Sequence, residues 1–353
     1  MQPQLGIIEG FYGQPWSWEA RQATIAFLAP HGYGFYIYAP KADLFLRERW
    51  REDHPSDVAK QLRVLSAKCR ALGVRFGVGF SPFEVWRDFG QGTKVALTRK
   101  LSFLADIGID DLAILFDDMK GDMPELAARQ IEIVHWIAER TRAKKLVVCP
   151  TYYSDDALLD RFFGPRPDNY LKEFGARLDP QIDIFWTGEE VCSKAISPGH
   201  VDRIANVLRR KPFLWDNYPV NDGKRMSQYL HLRAFTGRPA ALASRIAGHA
   251  INPALQPTLS RIPALTLVES YANSDGYEHG RAFANAAAAV SGPDLASLIR
   301  QDLSLFQDSG LDRLGAAAER LRSRYDTFDH PAAREIIAWL EGAYRFTGDS
   351  IAS

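Results

Sequence analysis

Short apolar runs alternate with longer amphipathic stretches over most of this chain. The runs have strand length and are rich in β-branched and aromatic residues, which predicts strands. Eight strands are predicted, at residues 5–11, 34–40, 75–82, 112–116, 145–153, 183–188, 213–217 and 245–253. The stretches between them repeat apolar residues at helical spacing. Helices are predicted at 16–28, from about Ser56, at 93–107, at 123–142, from about Ser197, at 227–235 and at 259–273, and residues 156–178 are predicted to be loop-rich.

The predicted strands show little internal alternation of apolar and polar residues, which is typical of a parallel sheet buried on both faces. Eight strand–helix repeats in a chain of this length fit an α/β fold, the (β/α)8 TIM barrel, best. A doubly wound open sheet is the alternative. No strand is followed by the glycine-rich turn of a dinucleotide site, because Gly77-Val78-Gly79 lacks the third glycine.

After about Tyr277 the pattern changes to helices without strands. We therefore predict two domains, a catalytic barrel over residues 1–275 and a small helical appendage over residues 276–353. No low-complexity linker separates them. The appendage helices are rich in alanine and aromatic residues, which offers a surface for a homo-oligomer.

Composition narrows the classes of partner. The chain has 353 residues with 43 basic and 43 acidic side chains, so it has no electrostatic footprint for nucleic acid or an anionic membrane. No apolar stretch has membrane-spanning length, and the N-terminus does not resemble a secretory signal. Its three cysteines, Cys69, Cys149 and Cys192, are far apart and suit reduced thiols. These features predict a soluble cytoplasmic protein.

The strand at 112–116 ends in two adjacent carboxylates, Asp117 and Asp118. In a barrel this is the end of a strand at which enzymes keep their chemistry. Two neighbouring carboxylates repel each other, so the pKa of one of them is expected to rise. A helix cap is the competing interpretation, although Asp122 is better placed to begin the next helix.

The other strand ends carry one lysine, further carboxylates, amides and aromatic rings. This set suits a neutral ligand rich in hydroxyl groups, such as a sugar, because rings can stack on it and amides can pair with its hydroxyls. A metal site is the competing interpretation, since Asp117, Asp118, Asn217 and Asp222 could hold Mg²⁺ or Ca²⁺. The histidines do not support it, because none has HxxxH spacing. We expect neither a metal nor another cofactor.

Seven motifs resemble glycoside hydrolase family 84, which holds the O-GlcNAc hydrolases and bacterial β-N-acetylglucosaminidases. They occur in order, each at a strand end, and cover about the first 270 residues. The motifs are GIIEGFYGQPW (6–16), YAPKAD (38–43), LFDDM (115–119), CPTYY (149–153), FWTG (185–188), LWDNYPVND (214–222) and Asn252-Pro253.

The resemblance implies a retaining exo-β-N-acetylglucosaminidase whose nucleophile is the substrate's own 2-acetamido group. It implies that Asp117 accepts a hydrogen bond from the acetamido N–H and stabilises an oxazoline intermediate. Asp118 is then the general acid and base. The resemblance implies eight substrate-binding residues: Gly10, Lys41, Tyr153, Thr187, Trp215, Asn217, Asp222 and Asn252. The substrate is a β-N-acetylglucosaminide on a glycan or glycoconjugate.

Other interpretations of single residues and of the whole chain stay open. Gly10 could be only a turn glycine, Trp215 a core residue and Lys41 a surface lysine. Glu9 and His249 are predicted to be buried structural residues with satisfied hydrogen bonds. For the whole chain, a non-catalytic N-acetylhexosamine-binding barrel and a metal-dependent hydrolase are the alternatives.

Overall fold

The computed structural model describes residues 3–273 and 276–346. Eight parallel strands form a closed barrel in sequence order. Pairing of the first strand with the eighth, with Leu5 opposite His249, completes the ring. The strands are β1 Leu5–Glu9, β2 Tyr33–Tyr38, β3 Arg75–Phe80, β4 Asp111–Leu115, β5 Lys145–Cys149, β6 Asp183–Trp186, β7 Phe213–Asp216 and β8 Gly248–Ile251. The predicted (β/α)8 barrel is confirmed, and the open sheet is excluded.

Helices surround the barrel and continue beyond it. The barrel helices are α1 Trp18–Leu28, α2 Ser56–Ala71, α3 Gln91–Ile107, α4 Leu126–Ala138, α5 Ala157–Phe163, α6 Tyr170–Arg177, α7 Pro198–Leu208 and α8 Arg261–Ala272. Four more follow: α9 His279–Ser291, α10 Pro293–Ser304, α11 Ala317–Tyr325 and α12 Pro331–Leu340. The start of α7 illustrates a local signal, since the Ser197 hydroxyl accepts a hydrogen bond from the His200 N–H and Pro198 takes the first helical position.

Three sequence-based expectations are wrong. The segment predicted to be loop-rich contains the short helices α5 and α6. Residues 227–235 do not form an α-helix, and the helical structure there is a single 3₁₀ turn at Met226–Gln228. Asp122 does not cap α4, which begins at Leu126 without a side-chain cap. The Asp122 carboxylate instead accepts a hydrogen bond from Arg87 at 2.8 Å.

The segment after Gln228 is extended because its apolar side chains pack against the C-terminal helices and its backbone forms hydrogen bonds with a residue of that region. Leu230, Leu232 and Ala234 belong to the apolar cluster of those helices. Alternate residues point to one side of an extended chain, so this spacing fits a strand-like segment better than a helix. The N–H group of Leu232 donates to the Gln307 side chain at 2.9 Å, a partner that no local helix would supply.

Two apolar clusters hold the fold together. The larger one fills the barrel and the space between its strands and surrounding helices. The smaller one joins α9–α12 to barrel-side residues such as Leu259 and Ile262. Because the smaller cluster takes residues from both sides of the predicted boundary at 275–276, we keep that boundary as a proposal. None of the helices within residues 3–273 and 276–346 combines the length and apolar character that crossing a bilayer requires.

Buried contacts that link barrel strands to the surrounding helices confirm the structural interpretation of Glu9 and His249. The Glu9 carboxylate accepts two hydrogen bonds from Arg21, at 2.7 and 2.6 Å, and one from the Tyr36 hydroxyl at 2.5 Å. The two ring nitrogens of His249 lie 2.8 Å from the Tyr271 hydroxyl and 2.9 Å from the Asp216 carboxylate. Both residues are therefore paired on all sides within the core.

Candidate active site

A cavity with an empty volume of about 520 Å³ opens at the carboxyl ends of the strands. All ten predicted site residues line it, and they are joined by Tyr12, Cys149, Val191, Cys192 and Val220. The structure therefore brings together residues that are separated by up to 242 positions, as in the contact between Gly10 and Asn252.

The two adjacent carboxylates face the same cavity because the strand has ended before them. Strand β4 ends at Leu115, and Asp118 has a left-handed backbone with φ of 58°. Neighbouring residues of a regular strand would point to opposite faces. A non-glycine residue in the left-handed region is uncommon and costs conformational energy. This local strain turns Asp118 to the same side as Asp117.

Lys41 links the two carboxylates. Its ammonium nitrogen forms an ion pair with Asp117 and lies 3.2 Å from Asp118 Oδ2. Its side chain is only 3% exposed, so the surface-lysine interpretation is wrong. Burial would lower the pKa of Lys41, but the charges of Asp117 and Asp118 outweigh it and raise the pKa. Lys41 is therefore a cation between two anions.

The electrostatics of Asp118 differ from the sequence-based expectation. Burial raises the pKa of Asp118, but the charges of Lys41 and Arg47 and the hydrogen bond from Tyr12 outweigh it, so the pKa lies below its ordinary value. The expected increase therefore does not occur at Asp118, because two cations offset the repulsion between the carboxylates. Asp222 behaves in the opposite way. Burial, helped by the negative charge of Asp118, raises the pKa of Asp222 to about 6.

Tyr12 is a functional-site residue to which sequence reasoning assigned no role. Its hydroxyl donates to Asp118 Oδ2 at 2.7 Å and accepts from Arg47 Nη1 at 3.1 Å. Its backbone N–H donates to Asp222 at 2.7 Å. Tyr12 lies in the first strand-end motif, and this position could have marked it as a candidate site residue. Arg47 follows the 3₁₀ turn Leu44–Leu46, away from any strand end, and nothing in the sequence marked it.

A chain of amide hydrogen bonds forms one wall. The Gly10 N–H donates to Asn252 at 3.2 Å, and the Asn252 amide donates to Asn217 Oδ1 at 2.9 Å. The Trp215 indole N–H donates to the same oxygen at 3.0 Å, and the Asn217 amide donates to the Val191 carbonyl at 2.8 Å. A Cβ atom at Gly10 would overlap the Trp215 ring. Gly10 is thus needed for a close approach, and Trp215 faces the cavity.

Tyr153 and Thr187 connect this wall to the carboxylates. The Thr187 N–H donates to the Tyr153 carbonyl at 3.0 Å, which ties the end of β6 to the loop after β5. The Tyr153 hydroxyl lies 3.5 Å from Asp118 Oδ1. Asp118 therefore has a tyrosine hydroxyl near each of its oxygens, a close one at Oδ2 and a distant one at Oδ1.

One buried carboxylate oxygen has no partner. Within residues 3–273 and 276–346, no donor lies within hydrogen-bond distance of Asp117 Oδ1. Leaving a buried acceptor unpaired costs free energy, so such atoms are rare and need an explanation. An N–H group of a bound ligand would satisfy this oxygen.

The arrangement suits a metal ion poorly. The Lys41 ammonium already lies between the two carboxylates, where a cation would have to bind. Among the described residues, no group of three or more histidine, cysteine, aspartate or glutamate side chains is arranged to hold a metal ion. The donor set instead offers carboxylates, amides and rings, which is suitable for a polar organic ligand.

Comparison with known proteins identifies the group of proteins that the chain resembles. It matches the model of the beta-N-acetylglucosaminidase family over residues 5–306. It is 30% identical over 279 residues to Protein O-GlcNAcase of Mus musculus and to that of Rattus norvegicus, a match that covers 75% of this chain. The chain spans 30% of the length of these curated relatives.

The similarity extends to a solved structure. A mutant of the Thermobaculum terrenum O-GlcNAc hydrolase superposes with a TM-score of 0.79 at 28% sequence identity. The superposition covers 96% of this chain and 80% of that one. It therefore includes both the barrel and most of the helices that follow it.

Proposed function

This chain belongs to the beta-N-acetylglucosaminidase family, a family of glycoside hydrolases, and on that premise we propose that it removes terminal β-linked N-acetylglucosamine with retention of configuration. The resemblance seen in the seven sequence motifs is thereby confirmed. The sugar is proposed from the names of the relatives, which are O-GlcNAc hydrolases. The natural aglycone is a glycan or a glycoconjugate.

The observation that carries this proposal is the unpartnered oxygen of Asp117 beside the second carboxylate. A 2-acetamido N–H that donates to Asp117 Oδ1 would satisfy the oxygen and direct the acetamido carbonyl toward the anomeric carbon. The carbonyl oxygen then forms a bond to that carbon while the glycosidic bond breaks. Asp117 stabilises the positive charge that develops on the resulting oxazoline.

Asp118 handles the protons in both steps. The reaction begins from the protonated form of Asp118, which its low pKa makes the minor form near neutral pH. This form gives its proton to the departing glycosidic oxygen. As a carboxylate it then removes a proton from a water molecule that attacks the anomeric carbon and opens the oxazoline. Two displacements at the same carbon retain its configuration. This route differs from the usual two-carboxylate scheme, in which an enzyme carboxylate is the nucleophile.

The remaining lining residues supply binding. The wall of Gly10, Asn217 and Asn252, together with Asp222, suits the sugar hydroxyls, since it presents amides and a carboxyl group in one place. Trp215 and Thr187 line the space assigned to the acetamido methyl group, and Tyr153 supports the acetamido carbonyl oxygen. Lys41 keeps both carboxylates in place through its ion pairs.

The first test replaces each carboxylate by its amide. Asp117→Asn and Asp118→Asn should each lower turnover of an aryl β-N-acetylglucosaminide by at least about 100-fold, because each removes one essential charge or proton. Asp122→Asn is the matched control, since that carboxylate follows in the same loop, is 54% exposed and pairs with Arg87. Near-full activity in either active-site variant contradicts the proposal.

A second measurement tests the nucleophile. A substrate with a fluorinated acetyl group should react more slowly, because fluorine withdraws electrons from the carbonyl oxygen. An unchanged rate would instead indicate an enzyme carboxylate as nucleophile. Tight sugar binding without any turnover would favour the non-catalytic N-acetylhexosamine-binding barrel, and loss of activity with a chelator would favour the metal-dependent hydrolase.

A further inference from the structure

Arg47 is a buried arginine next to the catalytic carboxylates. It is 8% exposed, and within the described ranges no carboxylate lies close enough to form an ion pair with it. The only hydrogen bond described for its guanidinium runs to the Tyr12 hydroxyl at 3.1 Å, and the guanidinium carbon lies 5.6 Å from the centre of the Tyr12 ring. Burying a charge without a direct ion pair is costly, so a functional reason is needed.

We propose that Arg47 is a positioning residue that acts through Tyr12 and selects which oxygen of Asp118 carries the transferable proton. This inference rests on the proposed function, in which Asp118 is the acid and base. It adds a residue that does not itself have to touch the substrate.

The direction of the hydrogen bonds follows from the chemistry of the groups. A guanidinium has donors and no acceptor, so the Tyr12 oxygen must accept from Arg47. The single hydroxyl hydrogen of Tyr12 is then free to point at Asp118 Oδ2, which lies 2.7 Å away. Arg47 thus makes Tyr12 a donor toward Asp118.

This direction distinguishes the two oxygens of Asp118. Oδ2 receives the Tyr12 hydroxyl and lies 3.2 Å from the Lys41 ammonium, so a proton there would face two donors. For Oδ1, the hydrogen-bond partner found among the described residues is the Tyr153 hydroxyl, at 3.5 Å. The transferable proton therefore belongs on Oδ1. Without Arg47 the Tyr12 hydroxyl can rotate and accept a hydrogen bond from a protonated Oδ2, which stabilises the proton on the wrong oxygen.

The positive charge of Arg47 also acts on Asp118 through space. Burial raises the pKa of Asp118, whereas Lys41 and then Arg47 lower it. The charged and titratable groups that face Asp118 are Asp117, Lys41, Arg47, Tyr12, Cys149, Tyr153 and Asp222. Removing one of the two cations named above favours the neutral carboxyl, so the pKa of Asp118 should rise.

The experiment compares leaving groups in Arg47→Met. Phenyl β-N-acetylglucosaminide needs a proton on its leaving oxygen, whereas the dinitrophenyl glycoside departs readily without one. We expect kcat/KM to fall roughly tenfold for the phenyl substrate, a fraction of what a general acid contributes, and to stay within about threefold for the dinitrophenyl substrate. The limb of the pH profile that reports Asp118 should move to higher pH. Arg47→Lys keeps the positive charge, so in this variant the limb should return most of the way to its wild-type pH.

Arg49→Met is the matched control, because Arg49 lies two positions away, is 49% exposed and pairs with Glu52 on the surface. It should leave both substrates and the pH profile unchanged. Tyr12→Phe removes the hydroxyl link. If Arg47 acts through Tyr12, the leaving-group effect of Arg47→Met should vanish in the Tyr12→Phe background.

Equal losses for both leaving groups, or full additivity with Tyr12→Phe, would overturn the positioning role. If Arg47→Met does not fold, the same cycle is run with Arg47→Lys, which should show a smaller but still leaving-group-dependent loss. The proposed function fails separately, because a wild-type protein that releases neither phenol would refute it before any variant is made.

Discussion

Asp117 and Asp216 are buried carboxylates at the ends of β4 and β7, and they differ in how fully their oxygens are paired. Asp216 Oδ1 accepts from Arg238 at 2.7 Å, and Asp216 Oδ2 is bonded to Arg238 at 2.8 Å and His249 at 2.9 Å. In Asp117, Oδ2 meets Lys41 and Oδ1 has no donor among the described residues.

The difference shows how a buried charge that stabilises the fold can be distinguished from one that is kept for a ligand. Burial raises the pKa of Asp216, but the Arg238 charge and the His249 hydrogen bond outweigh it, so the pKa lies far below its ordinary value. Asp216 does not belong to the cavity lining, whereas Asp117 does. Complete pairing therefore accompanies the structural role, and an unpaired oxygen accompanies the proposed catalytic one.

The largest expected effect on stability is at Asp216. Asp216→Asn should lower the free energy of unfolding by about 3–5 kcal/mol, because it leaves the Arg238 guanidinium buried without its counterion. Urea or thermal unfolding measures this loss. The folded fraction should keep its kcat/KM for an aryl substrate to within a few-fold. A variant as stable as wild type would show that complete pairing does not identify a structural carboxylate.

Asp222 is intermediate between Asp216 and Asp117 in the pairing of its oxygens, since its described hydrogen bond comes from the Tyr12 N–H. Its pKa is about 6. Its folded pKa is above the ordinary value, so the folded protein binds a proton more tightly than the unfolded chain. This contribution to stability is complete below about pH 4 and is lost as pH rises to about 6, by roughly 2–3 kcal/mol. Thermal unfolding between these pH values should show the decline in wild type and a weaker one in Asp222→Asn. Identical pH dependence in both proteins would exclude Asp222 as its source.

The smallest expected effect is the stability change in Asp117→Asn. The substitution replaces one carboxylate oxygen by an amide NH2 group and removes the negative charge, while Lys41 keeps Asp118 as a partner at 3.2 Å. The free energy of unfolding should therefore stay within about 1 kcal/mol of wild type, even though turnover is lost. Urea unfolding of Asp117→Asn beside Asp216→Asn is the direct comparison. A loss as large as that of Asp216→Asn would remove the distinction between the two carboxylates.

Much of the fold could be predicted because its signals are local. The apolar runs that became β1–β8 and the Ser197-Pro198 start of α7 depend only on neighbouring residues. The segment 227–235 could not be predicted, because its conformation is set by Gln307 and the apolar cluster of distant helices. A cytoplasmic location and self-association through the C-terminal helices stay predictions.

The candidate site likewise contains residues that could be predicted from the sequence and residues that could not. Its ten predicted residues could be found because barrel strand ends share one edge, and the motifs placed them there. Tyr12 received no role, because its hydroxyl is aimed at Asp118 across 106 positions of sequence. Arg47 had no signal at all, since it follows a 3₁₀ turn away from any strand end and its guanidinium contacts the Tyr12 hydroxyl.

The sequence by itself determined that this chain closes an eight-stranded barrel with a pair of acids at its mouth, because hydrophobic periodicity and strand-end position are properties of neighbouring residues. Only the tertiary structure decided that Asp118 takes a left-handed backbone and that Lys41 lies between the carboxylates. It also decided that no donor from the described part of the chain reaches one oxygen of Asp117. These features depend on which side chains from separate loops come within hydrogen-bond distance, and spacing along the chain does not contain those distances.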